Sequence, residues 1–162
     1  MQSTESGIAI RTAVATEACA IASVLYESFL EYRSIYTAGG FAATTPAAAE
    51  IECRFSEGPV WVAVQEDAII GTVSAVPKSN RVYVRSMAIL PAARGHASGR
   101  RLLLQVEQWA LAHGYRDLYL STTPFLSRAI RLYESCGFRR SNEGPHDLFG
   151  TPLFTMVKRL ET

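Results

Sequence analysis

An α/β domain with a mixed central sheet of about seven strands, flanked by about four helices, is the fold class that the residue pattern predicts. Three observations carry this. Val60–Val64 and Ala68–Val76 are apolar, β-branched runs on either side of Gln65-Glu66-Asp67, the pattern of a hairpin. Arg81–Leu90 is a further strand that runs through a proline and a small-residue loop into a helix over residues 99–113. A strand over residues 116–122 follows that helix, so the helix is a crossover and the strands it joins are parallel.

The remaining elements follow from local signals. Ile8–Arg11 reads as a short first strand. Thr16 is expected to cap a helix over residues 17–33, with Glu17 in its first turn and Ile21, Val24, Leu25, Ser28, Phe29 and Tyr32 at helical spacing. Residues 34–44, with Gly39-Gly40, read as a flexible connection. Thr45-Pro46 is a start signal for a second helix reaching Glu57 and stopped by Gly58-Pro59. Leu102, Leu103, Val106, Trp109 and Ala110 form the apolar stripe of the 99–113 helix, and Gly114 sits where a C′ glycine belongs. Thr123-Pro124 opens another helix ending at Cys136-Gly137. Phe138–Arg140 begins a strand, a polar loop follows, and Leu153–Leu160 closes the sheet. The 162 residues fit one domain, 1–162, with its core over about 8–160.

The segment richest in chemistry is Leu90-Pro91-Ala92-Ala93-Arg94-Gly95-His96-Ala97-Ser98-Gly99-Arg100-Arg101. A strand, a small-residue loop and a helix start together make a site for phosphate, because the first helical N–H groups lack partners and the helix dipole favours an anion. Gly95, Ala97 and Gly99 leave room for backbone to approach a ligand, while Arg94, Arg100 and Arg101 add positive charge. Neither G-x-x-x-x-G-K-[ST] nor G-x-G-x-x-G is present, so a Walker loop and a dinucleotide fingerprint are both unsupported. A plain glycine-containing loop before an arginine-rich helix is the alternative.

A net charge of +1 argues against a general nucleic-acid binder. No apolar run approaches the ~20 residues of a membrane span, and no secretory signal is visible at the N-terminus. Cys19, Cys53 and Cys136 suit neither a disulfide framework nor a zinc site, and they read as small core residues. His96, His113 and His146 are far apart in sequence, so no metal is expected. A reducing, cytoplasmic setting is the expectation.

Taken together, these features resemble the GCN5-related N-acetyltransferase (GNAT) superfamily. Arg94-Gly95-His96-Ala97-Ser98-Gly99 is similar to that family's [QR]-x-x-G-x-[GA] motif, with Ala97 in place of the first glycine. Alanine resists positive φ, so Ala97 is expected at negative φ. Ala129-Ile130-Arg131-Leu132-Tyr133-Glu134-Ser135-Cys136-Gly137-Phe138 resembles the family's A-x-x-x-Y-x-x-x-G-F segment, with Leu126 where an asparagine often stands.

The resemblance implies acetyl-CoA as the acyl donor. Its pantetheine would lie along Met87, Ala88 and Ile89, and its pyrophosphate on Arg94, Gly95, His96, Ala97, Ser98, Gly99 and Arg100. The Ile89 N–H would polarise the thioester carbonyl. Tyr133 would be the general acid, a packed core tyrosine being the alternative. The position of a family glutamate base carries Tyr83 instead, and Glu27, Glu31 and Glu52 are acidic groups on the first two helices. Tyr83, Arg85, Met87 and Ile89 are expected on one face of their strand, with Arg85 facing an acceptor carboxylate or, alternatively, an ion-pair partner. Glu31, Tyr83 and Arg85 are thus the candidate acceptor-binding residues, and Tyr32, Tyr36, Trp61 and Phe125 are aromatic residues that could line the same pocket.

The function implied is transfer of an acetyl group to a primary amine, of a small molecule rather than a protein. The alternatives are a non-catalytic acyl-CoA-binding module and a protein N-acetyltransferase. Neither nucleic acid nor a membrane is an expected partner. A homodimer pairing Phe138–Arg140 and Leu153–Leu160 across a two-fold is an analogy with the family.

Overall fold

β-branched and aromatic runs pair into one eight-stranded sheet in the computed structural model, which describes residues 7–95 and 97–161. The strands are β1 (Ile8–Thr12), β2 (Val60–Gln65), β3 (Ala68–Lys78), β4 (Arg81–Ile89), β5 (Asp117–Thr122), β6 (Arg139–Arg140), β7 (His146–Leu148) and β8 (Thr151–Arg159). Their order is β1-β2-β3-β4-β5-β8-β6, with β7 also on β8. Every neighbouring pair is antiparallel except β4–β5, as the crossover helix requires. The expected hairpin joins β2 to β3 through Glu66 and Asp67, both at positive φ, the turn that suits the twist of the strands.

Helices α1 (Ala18–Phe29), α2 (Ala38–Thr44), α3 (Ala48–Arg54), α4 (Ser98–Ala112) and α5 (Ser127–Ser135) flank the sheet. Leu102, Leu103 and Val106 of α4 and Tyr133 of α5 pack on one face, against Val73, Val82, Val84 and Leu118. Ile21, Val24 and Leu25 of α1 and Ile51 of α3 pack on the other, against Val60, Val62 and Ala88. Burying such side chains contributes about 1.5–3 kcal/mol each.

Several expectations are corrected. Thr16 does not cap the first helix. A 3-10 turn over Ala15–Glu17 precedes α1, and the Glu17 carboxylate accepts the Val14 N–H at 3.0 Å. Arg11 forks onto the same carboxylate at 2.7 and 2.9 Å, which holds the Glu17 carboxyl down at about 2. Residues 38–44 form a helix rather than a flexible connection. Its cap is Thr37, whose Oγ1 accepts the Gly40 N–H at 3.0 Å. A Cβ on Gly40 would lie 2.3 Å from Thr151 Oγ1, so this glycine serves close packing against β8. Thr45 ends α2 instead of opening α3, whose N-cap is Ala47. Cys19 and Cys53 are exposed and only Cys136 is in the core. β8 pairs with β5 along one edge and with the short β6 and β7 along the other.

Two backbone features shape the centre of the sheet. β4 carries a bulge: Ser74 faces Arg85 and Thr72 faces Ala88, which leaves one extra residue on β4, and Ser86 takes φ +55. The side-chain alternation therefore changes phase. Val82 and Val84 point to the α4–α5 face before the bulge, whereas Met87 and Ile89 do so after it. Tyr83 and Arg85 thus do not share a face with Met87 and Ile89. The second feature is Ala97, which sits at φ +61, ψ 11, left-handed and not at the negative φ expected. The chain must reverse there to enter α4, and this geometry costs an alanine about 1–2 kcal/mol.

Gly58 is needed for close approach, because a Cβ there would meet the Ala75 carbonyl oxygen at 2.0 Å. Gly58→Ala is expected to lower unfolding stability by about 2 kcal/mol or more, measured by chemical denaturation. Ala97→Gly is expected to leave stability unchanged or to raise it, because relief of the left-handed strain offsets the added freedom of the unfolded chain, about 0.4–1 kcal/mol. Ala97→Val is expected to lower stability by more than about 1 kcal/mol, since a β-branched residue is a true outlier at positive φ. An Ala97→Val protein as stable as the parent would contradict the left-handed assignment.

Candidate active site

β4 and β5 pair over only three residues, Arg81↔Asp117, Val82↔Leu118 and Tyr83↔Tyr119. The stacked rings of Tyr83 and Tyr119, 5.1 Å apart, mark the last rung. Beyond it the strands part, although β5 continues to pair with β8 as far as Thr122. The edge of β4 past the bulge is left without a strand partner on that side. Leu90 N–H bonds to Ile70 C=O on β3 at 2.8 Å, so the alternating backbone turns the Ile89 N–H the other way, into the gap. Main-chain groups open to a gap in this way can take an extended ligand as an added strand.

Two cavities of about 340 Å³ each meet in this gap. The first runs from the β4 edge at Met87, Ala88 and Ile89 to the loop before α4. In that loop Gly95 (φ +91) and Ala97 (φ +61) bracket the turn into the helix. The first described α4 bond runs from Arg101 N–H to Ala97 C=O at 3.0 Å, so the amides of Ser98, Gly99 and Arg100 have no acceptor within the helix. Left-handed followed by right-handed residues turn successive N–H groups into one concavity, which suits an anion. A Cβ on Gly99 would sit 2.7 Å from Leu132 Cδ2 and 3.1 Å from Met87 Cε, so glycine lets α4 start hard against α5 and β4. Ser98 Oγ and Ser28 Oγ, both in this cavity's wall, are buried without partners among the described residues. Unpaired amides and hydroxyls of this kind fit the diphosphate and amides of acetyl-CoA.

The arginines divide their tasks. Arg94 pairs with Glu31, and its Nη2 donates to Ser28 C=O at 3.0 Å, which ties the loop to the end of α1. Arg100 Nη2 donates to Ser135 Oγ at 3.0 Å and bridges α4 to α5. Arg101 turns away and donates to Ile8 C=O at 2.7 Å, so its charge does not serve the loop. Glu31 stands beside Arg94 and does not line the second cavity. His96 lies outside the described residues.

The second cavity lies on the other side of Tyr133. It contains Tyr83 and Arg85 of β4, Thr122 at the end of β5, and three groups that the sequence reading missed: Arg54, Ser86 and Thr123. Arg54 comes from the end of α3 and donates to Ser86 Oγ at 2.9 Å. Tyr36 lines this cavity and packs edge-on against Phe125 at 4.8 Å, and burial pushes its phenol up to about 12. Trp61 instead packs in the core against Trp109. Phe29, Met87, Leu126, Ala129 and Tyr133 line both cavities and form the wall where they meet. Tyr133 is 8% exposed, and burial pushes its phenol well above its ordinary value. No group of three or more potential metal ligands occurs among the described residues, and no helix there is long and apolar enough to cross a membrane.

The chain is similar to known proteins in sequence and in fold. Mouse N-acetylaspartate synthetase is 30% identical over 117 residues, 69% of this chain but only 39% of its own length. The uncharacterized N-acetyltransferase YjgM of Escherichia coli (strain K12) is 31% identical over 125 residues, 74% of each chain. Among solved structures, the PaiA N-acetyltransferase of Thermoplasma acidophilum in complex with coenzyme A superposes with a TM-score of 0.75 at 20% identity, covering 94% of this chain and 98% of that one. The YncA acetyltransferase structure from Salmonella typhimurium with acetyl-CoA gives 0.73 at 24% identity, covering 96% and 95%. The model of the acetyltransferase (GNAT) family matches residues 23–138, and with the relatives above this establishes that the chain belongs to that family.

Proposed function

We propose that the protein transfers the acetyl group of acetyl-CoA to the primary amine of a small molecule. The observation that carries this reading is the meeting of the two cavities at Tyr133, with an anion cradle at the far end of one of them. Acetyl-CoA is the donor substrate and brings an activated thioester. Its diphosphate is assigned to the loop from Gly95 and the amides of Ser98, Gly99 and Arg100, with Arg94 and Arg100 holding that loop in place. Its pantetheine is assigned to the open edge of β4 at Met87, Ala88 and Ile89. The family relationship supports the same donor, as do the coenzyme A and acetyl-CoA named for two structural neighbours.

In the reaction a neutral amine attacks the thioester carbonyl. A C–N bond forms, the C–S bond breaks, and the amine loses a proton. The Ile89 N–H is assigned to the carbonyl oxygen, where a preorganised donor is worth about 3 kcal/mol as charge develops. Tyr133 is assigned to protonate the departing thiolate, and water returns a proton to the resulting phenolate. Its burial keeps the phenol protonated well into alkaline solution, so the proton is available whenever the amine is neutral. No carboxylate lines the acceptor cavity among the described residues. The amine's own proton is therefore assigned to water and leaves past Ser121 and Thr122.

A small acceptor is favoured by the size of the second cavity and by mouse N-acetylaspartate synthetase, whose name gives a small acetylated amine. The direct test combines thermal shift with acetyl-CoA, coenzyme A and ATP with thiol release across a panel of amines. Stabilisation by both coenzyme species, together with thiol release, supports the enzyme. Binding without release on any amine would mark a non-catalytic acyl-CoA-binding module instead.

Tyr133→Phe is expected to lower kcat about 10²-fold while leaving the acetyl-CoA Kd within about twofold, by steady-state rates and calorimetry. Equal activity would remove the assigned role. The kcat/KM for the amine is expected to rise with pH up to the pKa of that amine, with no falling limb below about pH 10, the ordinary value for a phenol. The sign follows from burial, which raises the tyrosine's pKa and so moves loss of its proton to higher pH.

A further inference from the structure

The acceptor cavity has a charge signature that the transfer chemistry does not require. Its charged lining residues are Arg54 and Arg85, both cationic, and no carboxylate lines it among the described residues. Both guanidiniums lie well inside, with side chains 14% and 18% exposed. Their ion-pair partners lie outside the cavity and are more open to water. Glu50 is 60% exposed and Glu57 is 42% exposed.

Those pairs leave donors unused. Arg85 gives Nη2 to Glu57 at 2.8 Å, yet its Nε is buried with no partner. Thr122 Oγ1 and Thr123 Oγ1, in the wall of the same cavity, are also buried without partners. A buried donor with no acceptor is destabilising, and more so when it is charged. Proximity of the two guanidiniums adds to this, since the charge of Arg85 lowers the pKa of Arg54 beyond the effect of burial. An anion entering the cavity beside the two guanidiniums would relieve their repulsion.

We infer that the acceptor is an amine carrying a carboxylate, of the amino-acid class, whose carboxylate docks on Arg85 and Arg54 while its amine lies by Tyr133. This rests on the acetyl-transfer reading of the same site and adds the substrate class to it. A planar guanidinium fork matches a carboxylate with two parallel bonds. Glu57 and Glu50 hold the two forks from the outside without filling the cavity. Along β4, only the bulged Ser86 separates Arg85 from Met87 in the wall shared by the cavities, a span shorter than the roughly 7 Å of two extended residues. An amine and a carboxylate separated by a few bonds match that scale. Cationic acceptors such as polyamines would meet two buried positive charges.

The test compares initial rates of thiol release from acetyl-CoA for a set of amino acids, each paired with its carboxamide. The carboxamide's amine is the more easily deprotonated of each pair, so intrinsic reactivity favours the amide. The expected result is that at least one acid exceeds its amide at least tenfold in kcat/KM, through KM. In Arg85→Gln the acid-over-amide preference is expected to fall at least tenfold, with partial recovery in Arg85→Lys and a similar loss in Arg54→Gln. Circular dichroism and acetyl-CoA Kd would establish that each variant folds. Turnover of amides equal to that of acids, or a preference untouched by Arg85→Gln, would overturn this inference and leave the acetyl-transfer reading standing. Preference for phosphoethanolamine over every amino acid would overturn the carboxylate assignment. Absence of thiol release with every amine would overturn both.

Discussion

The parting of β4 from β5 is the constraint on which the site depends. Two parallel strands hold together for three rungs and then separate. The separation leaves part of a central strand with one edge open, an arrangement that would be costly if nothing occupied it. The bulge at Ser86 belongs to the same event. It adds a residue to β4, changes which side chains face α4 and α5, and places Arg85 and Met87 in different surroundings although they are two residues apart. One irregularity thus divides the gap into a side suited to an anionic, extended donor and a side lined by arginines and hydroxyls.

The rest of the fold holds that gap in shape. α4 carries the amides that open towards the first cavity, and its apolar stripe anchors it to the sheet. Arg101 reaches from α4 to β1, and Arg94 from the loop to the end of α1, so the cradle is fixed from both sides. α5 places Tyr133 against Phe138, with ring centroids 5.9 Å apart, where both cavities end. Ala97 shows how strongly this geometry is imposed. The backbone keeps a left-handed residue there although the side chain disfavours it. Local preference gives way because α4 on one side and β4 on the other determine the direction of the chain.

Much of this was legible in the sequence, for identifiable reasons. The hairpin from Val60, the crossover helix with its stripe at Leu102, Leu103, Val106 and Ala110, and the parallel strand after it are local patterns written at full strength. The two motifs led to the first cavity and to Tyr133. What could not be read depends on contacts distant in sequence. Gly39-Gly40 looks like a flexible link, yet it lies within a helix because Thr37 caps it and Gly40 packs on Thr151, 111 residues away (151 − 40). The Ser86 bulge leaves no mark in the composition of β4, so simple alternation put Arg85 and Met87 on one face. No local pattern singles out Arg54; it pairs with Glu50 within α3, and only the fold brings it beside Arg85 and Ser86. The second cavity is assembled from α1, α2, α3, β4, β5, α5, β7 and β8 with their loops, which is why no single segment announced it.

Amide hydrogen exchange of the intact protein with and without coenzyme A tests the central claim most directly. If the open edge of β4 and the start of α4 receive the donor, the Ile89 amide and those of Ser98, Gly99 and Arg100 become protected when coenzyme A is added, while the β2–β3 hairpin is unchanged. Stabilisation by coenzyme A with those four amides exchanging as before, and protection arising elsewhere, would contradict it.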